Sequence, residues 1–326
     1  MMGKGRSHLV RRVREYLHHK ELMAGTIILG IYVLIGLAAW AYYRGGLSYL
    51  TPDLGVYLGY HNPVPPTLTL YPFSLGSFTL GQTGGLGFSV AEGLVKGTPW
   101  DLMLFAGILV PTTLLGLVVG VIAGGSGGLV DDALMTVTDV VLSIPPFVVA
   151  LLVFVVILPG IASNEIPLVF VASMVLINWA PYARLSRAKA KTIAAKPFVE
   201  AAAAAGANKG RILFRHVLPN SVSPVLSQVP ITLSNLIILL TVIPYVGIVT
   251  SQQYLHILSF MPSTYFPEWT WILVNGMLGW HVSFSSNAWW GYVIPFLWIF
   301  VFGLSVLLFC DGLEDFLSPQ SGSQTH

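Results

Sequence analysis

Long apolar runs alternate with shorter polar stretches along the chain, and the apolar runs set its organisation. Six of them approach the length of about 20 mostly apolar residues that a helix needs to cross a bilayer. They predict spans at 22–43, 100–124, 137–158, 166–182, 223–249 and 290–310. Several contain proline, which a spanning helix tolerates where neighbouring groups satisfy the freed backbone. The pattern therefore predicts an all-α membrane protein with about six transmembrane helices.

The first apolar run has two interpretations because a basic segment precedes it. Ala39-Trp40-Ala41 resembles the cleavage site of a secretory signal peptide. The run over 22–43 is, however, longer than the ~7–15 apolar residues of a signal peptide. An uncleaved first span is the favoured interpretation.

The composition supports a lipid environment. The chain of 326 residues is 55% hydrophobic and only 9% charged, with a mean hydropathy of +0.75, whereas a soluble domain is about a quarter charged. The expected surroundings are therefore a bilayer, and no nucleic-acid partner is expected. The single cysteine, Cys310, lies in an apolar run and fits a small buried side chain.

The sixteen lysines and arginines define an orientation. Six precede the first span, eight lie between 184 and 215, and only Arg44 and Lys96 lie elsewhere. Because basic loops stay in the cytoplasm, residues 1–21, the loop 184–220 and the tail 311–326 are predicted to be cytoplasmic. Loops 44–99 and 250–289 are then extracellular, and 100–310 forms the core transmembrane domain. This arrangement places a multi-pass protein in the cell membrane with both termini inside.

The two outer loops differ in composition. Loop 44–99 is rich in Pro, Gly, Ser and Thr, and is predicted to be irregular with short helices at most. Loop 250–289 is dense in tryptophan, including Trp269, Trp271 and Trp280. These side chains fit either an aromatic belt at the headgroups or a segment that shapes the outer mouth and meets an extracellular partner.

Motifs for enzyme chemistry are missing from the sequence. It contains no G-x-x-x-x-G-K-[ST], no H-E-x-x-H and no cysteine pair, and its eight histidines are scattered. No catalytic residue and no metal site are predicted, so an enzyme is not expected. Acidic residues lie at or near span ends; the deepest, Asp139, either complements a helix dipole or makes a polar contact between helices.

Residues 184–220 form a basic, polar stretch between the fourth and fifth spans. A basic helix is predicted over 184–195, continuing the fourth span. Pro197 favours a helix start, Glu200 suits the first turn, and the alanines that follow are strong helix formers. Gly206 suits a left-handed cap, Asn208 an N-cap, and Leu218-Pro219 a helix end. The local prediction is two short helices that meet at Gly206.

Two functions are open for this stretch from its composition. Phe198, Ile212, Leu213 and Phe214 are apolar residues on a basic, wet segment, which is typical of a protein contact. The alternative is an amphipathic linker whose eight basic residues bind anionic lipid.

The motifs of this stretch resemble those of a known family. E-A-A, three residues, G, and then L-P after eleven more match the signature loop of permease subunits of ABC-type importers. The matched residues are Glu200, Ala201, Ala202, Gly206, Leu218 and Pro219. His216 and the run FRHVLPN are similar to the dipeptide/oligopeptide/nickel branch. GTPWDLML, GGSGGLVDDALMTVTDVVLSIPPF, WAPYARLSRAK and DGLEDFLSP extend the resemblance to the second, C-type permease of that branch.

The resemblance implies a function and a set of partners. It implies the type I ABC importer permease fold, half of a heterodimeric pore with a second permease subunit, two ATPase subunits that carry ATP and Mg, and an extracellular substrate-binding protein. No cofactor is implied in this chain itself. Glu200, Ala201, Ala202, Gly206, His216, Leu218 and Pro219 would dock the ATPase. Arg184, Arg187 and Arg215 would add supporting salt bridges.

The substrate class remains open at this stage. The branch includes transporters of peptides, nickel and oligosaccharides, and the lack of charge within the apolar runs favours a neutral or zwitterionic solute over a bare metal ion. A secondary transporter or channel that works without an ATPase is the alternative function.

Overall fold

The computed structural model describes residues 19–42, 67–68, 78–79, 90–153, 156, 166–250, 268–274 and 289–317. Its helices are α1 Lys20–Tyr42, α2 Val90–Ser126, α3 Gly128–Ser143, α4 Pro146–Leu152, α5 Ile166–Ala194, α6 Pro197–Ala204, α7 Lys209–Ile212, α8 Leu218–Asn220, α9 Ser223–Leu226, α10 Gln228–Thr250, α11 at 269–274 and α12 Trp290–Leu317. A π-helical turn, Leu213–Val217, joins α7 to α8. Two-residue strands β1 (Thr67–Leu68) and β2 (Phe78–Thr79) pair antiparallel. The basic residues before 19, most of both outer loops and the tail after Leu317 lie outside the described residues.

The described helices agree with an all-α membrane protein. Five stretches are long and apolar enough to cross a bilayer: Lys20–Tyr42, Val90–Ser126, Leu168–Ala194, Ser223–Val242 and Trp290–Leu317. The pair α3 and α4 passes the same test together, with a bend of 71° between them. Counting this pair as one bent span gives the predicted six.

The third predicted span, 137–158, has a different form from the one expected. Its helix α3 already begins at Gly128 and ends at the Ile144-Pro145 step, where Ile144 is extended. A residue before proline avoids the helical region, and Pro146 then starts α4 in its first turn. The two prolines therefore break the span instead of being absorbed within it. Of the predicted end of this span, residues 154–155 and 157–158 lie outside the part that the structure describes.

Two helices extend beyond the boundaries predicted for their apolar runs. The outer loop was expected to continue to residue 99, but α2 starts at Val90 and runs for 37 residues with Pro99 and Pro111 inside it. The tail was expected to begin at 311, but α12 continues to Leu317. The predictions took charged residues as the ends of the apolar runs. A helix can continue past such residues when their side chains have interaction partners.

Close packing of α2 against α5 forms the centre of the described bundle. Gly116, Gly120 and Gly124 recur every fourth residue on α2 and face the backbone of α5. A Cβ at any of the three would lie less than 3.0 Å from α5 atoms, including the carbonyl oxygens of Trp179, Ala183 and Arg187. Small residues at this spacing let two helices approach closely in a membrane.

A second core lies where α1, α2, α11 and α12 meet. Tyr32 Oη donates a hydrogen bond of 2.6 Å to the carbonyl oxygen of Trp298. The Tyr32 ring packs against Trp269, Trp298 and Phe302, with centroids 5.0 to 5.7 Å apart. Trp269 is buried, so this part of loop 250–289 belongs to the core and not to an aromatic belt. Trp280 and most of that loop lie outside the described residues.

Candidate functional site

The EAA helix, α6, starts where the sequence predicts. Lys196 is extended, and Pro197 occupies the first turn, where its missing N–H costs nothing. Val199 is the residue of this helix that turns inward and is buried, whereas Glu200 and Ala201 are exposed and Ala202 is half-buried. The helix therefore presents a carboxylate and small side chains away from the bundle.

The junction with the next helix is also as predicted. Gly206 has a φ of 84°, in the left-handed region that favours glycine. Its N–H donates to the Ala203 carbonyl at 3.0 Å, and the Ala207 N–H donates to that of Ala202 at 3.1 Å. Asn208 then accepts a 2.8 Å hydrogen bond from the Arg211 backbone N–H as the N-cap of α7. These bonds fix the angle between the two helices.

The second helix was expected to end at Leu218-Pro219, but the helical chain continues past these residues. A π-helical turn carries the chain from Leu213 to Val217, and α8 continues through Leu218–Asn220 before the turn at Ser221. Pro219 lies in the first turn of this new stretch and is exposed. Proline usually ends a helix because it has no backbone N–H to donate to the preceding turn. Here a new helical stretch begins at Leu218, so Pro219 lies in a first turn, where that hydrogen bond is not needed.

Two side chains on the EAA segment (residues 197–220) lie close together. The rings of Phe198 and His216 have centroids 6.4 Å apart, with His216 half-buried and Phe198 exposed. Phe214 is exposed as well. The segment thus combines exposed aromatic rings, exposed cations and the Glu200 carboxylate on its outward side.

The inward side of the EAA segment is apolar. A buried cluster on α2, α5, α9 and the segment itself joins Leu117, Val121, Tyr182, Ala190, Ile193, Val199, Val217 and Val225, and Ile212, Leu213 and Leu218 pack against it. The segment is therefore part of the folded bundle and not a free linker.

Two of the three predicted supporting arginines pair within the chain. Arg187 on α5 bonds the Asp131 carboxylate on α3 through both Nε and Nη2, and Arg184 Nη2 bonds Asp139 Oδ1 at 2.6 Å. Asp139 thus makes the polar contact between helices that was one of its two interpretations. Arg215 is exposed on the π-helical turn, so it is the arginine of the three that points away from these ion pairs.

Lys191 joins the same network, and sequence analysis gave it no role. Its Nζ lies 2.6 Å from Asp131 Oδ2. The signal was present in the spacing, because Arg187 and Lys191 lie four residues apart on one face of α5.

Two buried carboxylates were also missed. Asp101 lies about three turns inside α2 and is fully buried, which corrects the expectation that acidic groups stay near span ends; the early start of α2 is the reason. Its Oδ2 accepts from the Trp269 backbone N–H at 3.1 Å. Glu268 accepts from the N–H groups of Thr270 and Trp271 at 3.3 and 3.2 Å. Both carboxylates cap the start of α11.

Burial affects the protonation of Glu268. Removal of its carboxylate from water raises the pKa of Glu268 from 4.5 to about 7, and its hydrogen bonds from Thr270 and Trp271 partly oppose this. In the part of the chain that the structure describes, no group of three or more His, Cys, Asp or Glu side chains could hold a metal ion.

Comparison with known proteins agrees with the motifs. The sequence pattern of the family described as "Binding-protein-dependent transport system inner membrane component" matches residues 116–319. The chain is 27% identical over 243 residues to the Di/tripeptide transport system permease protein DppC of Pseudomonas aeruginosa, covering 74% of this chain and 72% of that one. It is 25% identical over 321 residues to a putative peptide transport system permease protein of Brucella abortus, covering 97% and 93%. Identity to the Dipeptide transport system permease protein DppC of Escherichia coli is 30% over 187 residues, covering 57% and 55%.

Proposed function

This chain belongs to the binding-protein-dependent transport system inner membrane components, and from this premise we propose that it forms one half of a heterodimeric, ATP-driven import pore. It is an importer permease of the dipeptide/oligopeptide branch and a multi-pass membrane protein. The family consists of transport components and not of enzymes. The second half of the pore is a second permease subunit.

The exposed side of α6 carries the proposal for energy coupling. Val199 anchors this helix in the buried cluster, while Glu200 and Ala201 face away from it. We assign this face to an ATPase subunit that binds ATP and Mg. A helix coated with methyl groups lets a partner approach its backbone closely, and Glu200 offers one charge for a basic residue of that partner.

The rest of the matched motif has a supporting role in this proposal. Gly206 sets the angle between α6 and α7, Leu218 packs against the buried cluster, and we assign the half-buried His216 and the exposed Pro219 to the same docking surface. Arg215 is exposed and available to the ATPase. Arg184 and Arg187 act instead through Asp139 and Asp131 within the chain.

Peptides are the proposed substrate class. Relatives that cover about three quarters of this chain are named as permeases for di- or tripeptides or for dipeptides. An extracellular binding protein delivers the peptide to the outer mouth. We propose that both termini and the EAA segment lie in the cytoplasm, and the basic residues before 19 and at 184–215 support this under the positive-inside rule.

The test of this proposal uses Glu200→Arg and Gly206→Pro in the full chain. The complex is purified from its native membrane and analysed for a co-purifying P-loop ATPase, and peptide uptake is measured in the same cells. We expect both variants to lose ATPase association and uptake. Asp315→Arg, which reverses an exposed carboxylate on α12, serves as the matched control and should keep both.

Two results would contradict the proposal. Survival of ATPase association and uptake in both variants would remove Glu200 and Gly206 from the coupling surface. Peptide uptake by a wild-type complex without any ATPase would instead support the alternative of a secondary transporter or channel.

A further inference from the structure

One contact joins the EAA segment directly to α2. Leu213, the first residue of the π-helical turn, lies against Gly125 near the end of α2. A Cβ on Gly125 would lie less than 3.0 Å from Leu213 Cδ2 and 3.3 Å from Leu213 Cγ. The three nearest atoms to that position all belong to Leu213. The leucine side chain therefore occupies the space that any larger residue at 125 would need.

Within the π-helical turn, neighbouring side chains face opposite sides of the EAA segment. Leu213 packs against the buried cluster, whereas Phe214 next to it is 56% exposed. The Asn208 cap fixes the start of α7 only a few residues earlier, so the turn has a defined register. A π-helical turn is rare and is often found at functional sites. Here it places an inward contact and an outward-facing surface on consecutive residues.

Besides Leu213, the EAA segment contacts the buried cluster through Val199, Ile212, Val217 and Leu218. Along the eight residues of α6, Val199 is the buried one. A displacement of α6 reaches the bundle through Val199 and the short link to α5, or through α7 and the contacts at and after Leu213. Because packed interiors have low compressibility, a leucine seated on a glycine passes a displacement to the helix that carries the glycine.

We propose that the Leu213–Gly125 contact passes the movement of the EAA segment to α2, which makes Leu213 and Gly125 positioning residues for transport. This inference rests on the proposed function, because it needs an ATPase that moves the segment. α2 is a suitable receiver, since it packs against both α5 and α1.

Gly125→Ala should disturb the contact with Leu213 and few other contacts. The new methyl group meets the end of a flexible leucine side chain, which can turn away. Gly120 differs, because a Cβ there would meet the Ala183 carbonyl oxygen and the Arg187 backbone nitrogen of α5 at less than 3.0 Å. Gly125→Ala should therefore shift the leucine without separating α2 from α5.

The experiment compares four variants of the full importer, purified with its partner subunits and reconstituted in proteoliposomes. Peptide uptake and ATP hydrolysis are measured on the same preparation. Gly125→Ala and Leu213→Ala are each expected to lower uptake per ATP hydrolysed by roughly threefold to tenfold, with the ATPase still bound. Gly107→Ala on the same helix, where a Cβ would meet Val171 Cγ1 at 3.8 Å, should leave the ratio unchanged.

The double variant Gly125→Ala/Leu213→Ala supplies a readout that general destabilisation would not produce. The methyl group added at 125 then faces the space that the shortened side chain at 213 leaves. Uptake per ATP should return towards the wild-type value, as expected when two residues act through one contact.

The outcomes separate this inference from the proposed function. A wild-type complex without an ATPase would contradict the proposed function. A wild-type complex that couples normally, together with an unchanged ratio in both single variants or simply multiplied losses in the double variant, would overturn the inference alone. If Gly125→Ala does not assemble, Leu213→Ala decides the question, since it adds no volume.

Discussion

Arg187 on α5 donates two hydrogen bonds to the Asp131 carboxylate on α3, with Nη2 at 2.8 Å from Oδ2. Lys191 Nζ lies 2.6 Å from the same Oδ2. The Asp131 side chain is 6% exposed, so its charge depends on these two cations. Since α5 leads directly into the EAA segment, this carboxylate ties α3 to the helix on which that segment is built.

Asp131→Asn is expected to lower the stability of the bundle by about 1–2 kcal/mol, because it weakens hydrogen bonds made between charged groups. Thermal unfolding of the detergent-purified chain measures this. Asp139→Asn is the matched control, since both partners in the Arg184–Asp139 pair are more than half exposed and exposed pairs contribute little. Equal losses in the two variants would contradict the special role of Asp131.

Gly120→Ala is expected to prevent the close approach of α2 and α5. A Cβ there would meet Ser186 Oγ, the Ala183 carbonyl oxygen and the Arg187 backbone nitrogen at less than 3.0 Å, and two of these are backbone atoms that give way only if a helix moves. Overpacking of this kind costs about 1–3 kcal/mol or more. Size-exclusion chromatography of the detergent extract should show little monodisperse protein.

Gly107→Ala is the control for this substitution, because it adds the same methyl group to the same helix at an ordinary contact distance from Val171. It should elute like the wild type. Normal elution of Gly120→Ala would show that α2 and α5 are packed less closely than the structure indicates.

The sequence was sufficient for most of the span positions and for the local shape of the EAA segment. The length of an apolar run reflects the thickness of the bilayer that its helix must cross. Pro197, Gly206 and Asn208 favour a helix start, a left-handed backbone conformation and an N-cap, and the structure has each of these. These are local effects, so a single sequence contains them.

The sequence was insufficient where a contact between distant residues decides the structure. The burial of Asp101 depends on Trp269, which lies 168 positions along the chain. Arg187 and Asp131 pair although they lie 56 positions apart in the chain. The hydropathy pattern does not predict that these two residues are neighbours. The π-helical turn likewise depends on how Leu213 and Val217 pack against the bundle.

Glu268 is expected to make stability depend on pH. Its pKa is raised from 4.5 to about 7 by burial, so the unfolded chain releases this proton at a lower pH than the folded one. The stabilising contribution is complete below about pH 4.5 and is lost as the pH rises through about 7. Asp101, which accepts from Trp269 beside it, adds a second acidic group to the same site.

Glu268→Gln should flatten this part of the profile, because an amide does not ionise in this range. The measurement is the melting temperature of wild type and variant in detergent between about pH 4.5 and pH 8. The difference between the two curves removes the contributions of titrating groups outside the site that Glu268 shares with Asp101. Parallel curves would contradict the raised pKa.

Glu314 near the end of α12 is expected to hold the helices that follow the EAA segment. Its Oε2 accepts a hydrogen bond from Ser227 Oγ, and its Oε1 accepts from Ser223 Oγ at 3.4 Å. One carboxylate thus bridges α12 to both ends of α9. Glu314→Ala should lower the melting temperature and increase protease cleavage after α8, because loss of a charged acceptor costs about 1.5–3 kcal/mol.

Two further variants serve as controls for this prediction. Glu314→Gln keeps an acceptor oxygen and should lose less stability than Glu314→Ala. Asp315→Ala removes an exposed carboxylate one residue away and should change neither measurement. If Glu314→Ala behaves like Asp315→Ala, the carboxylate is dispensable for stability.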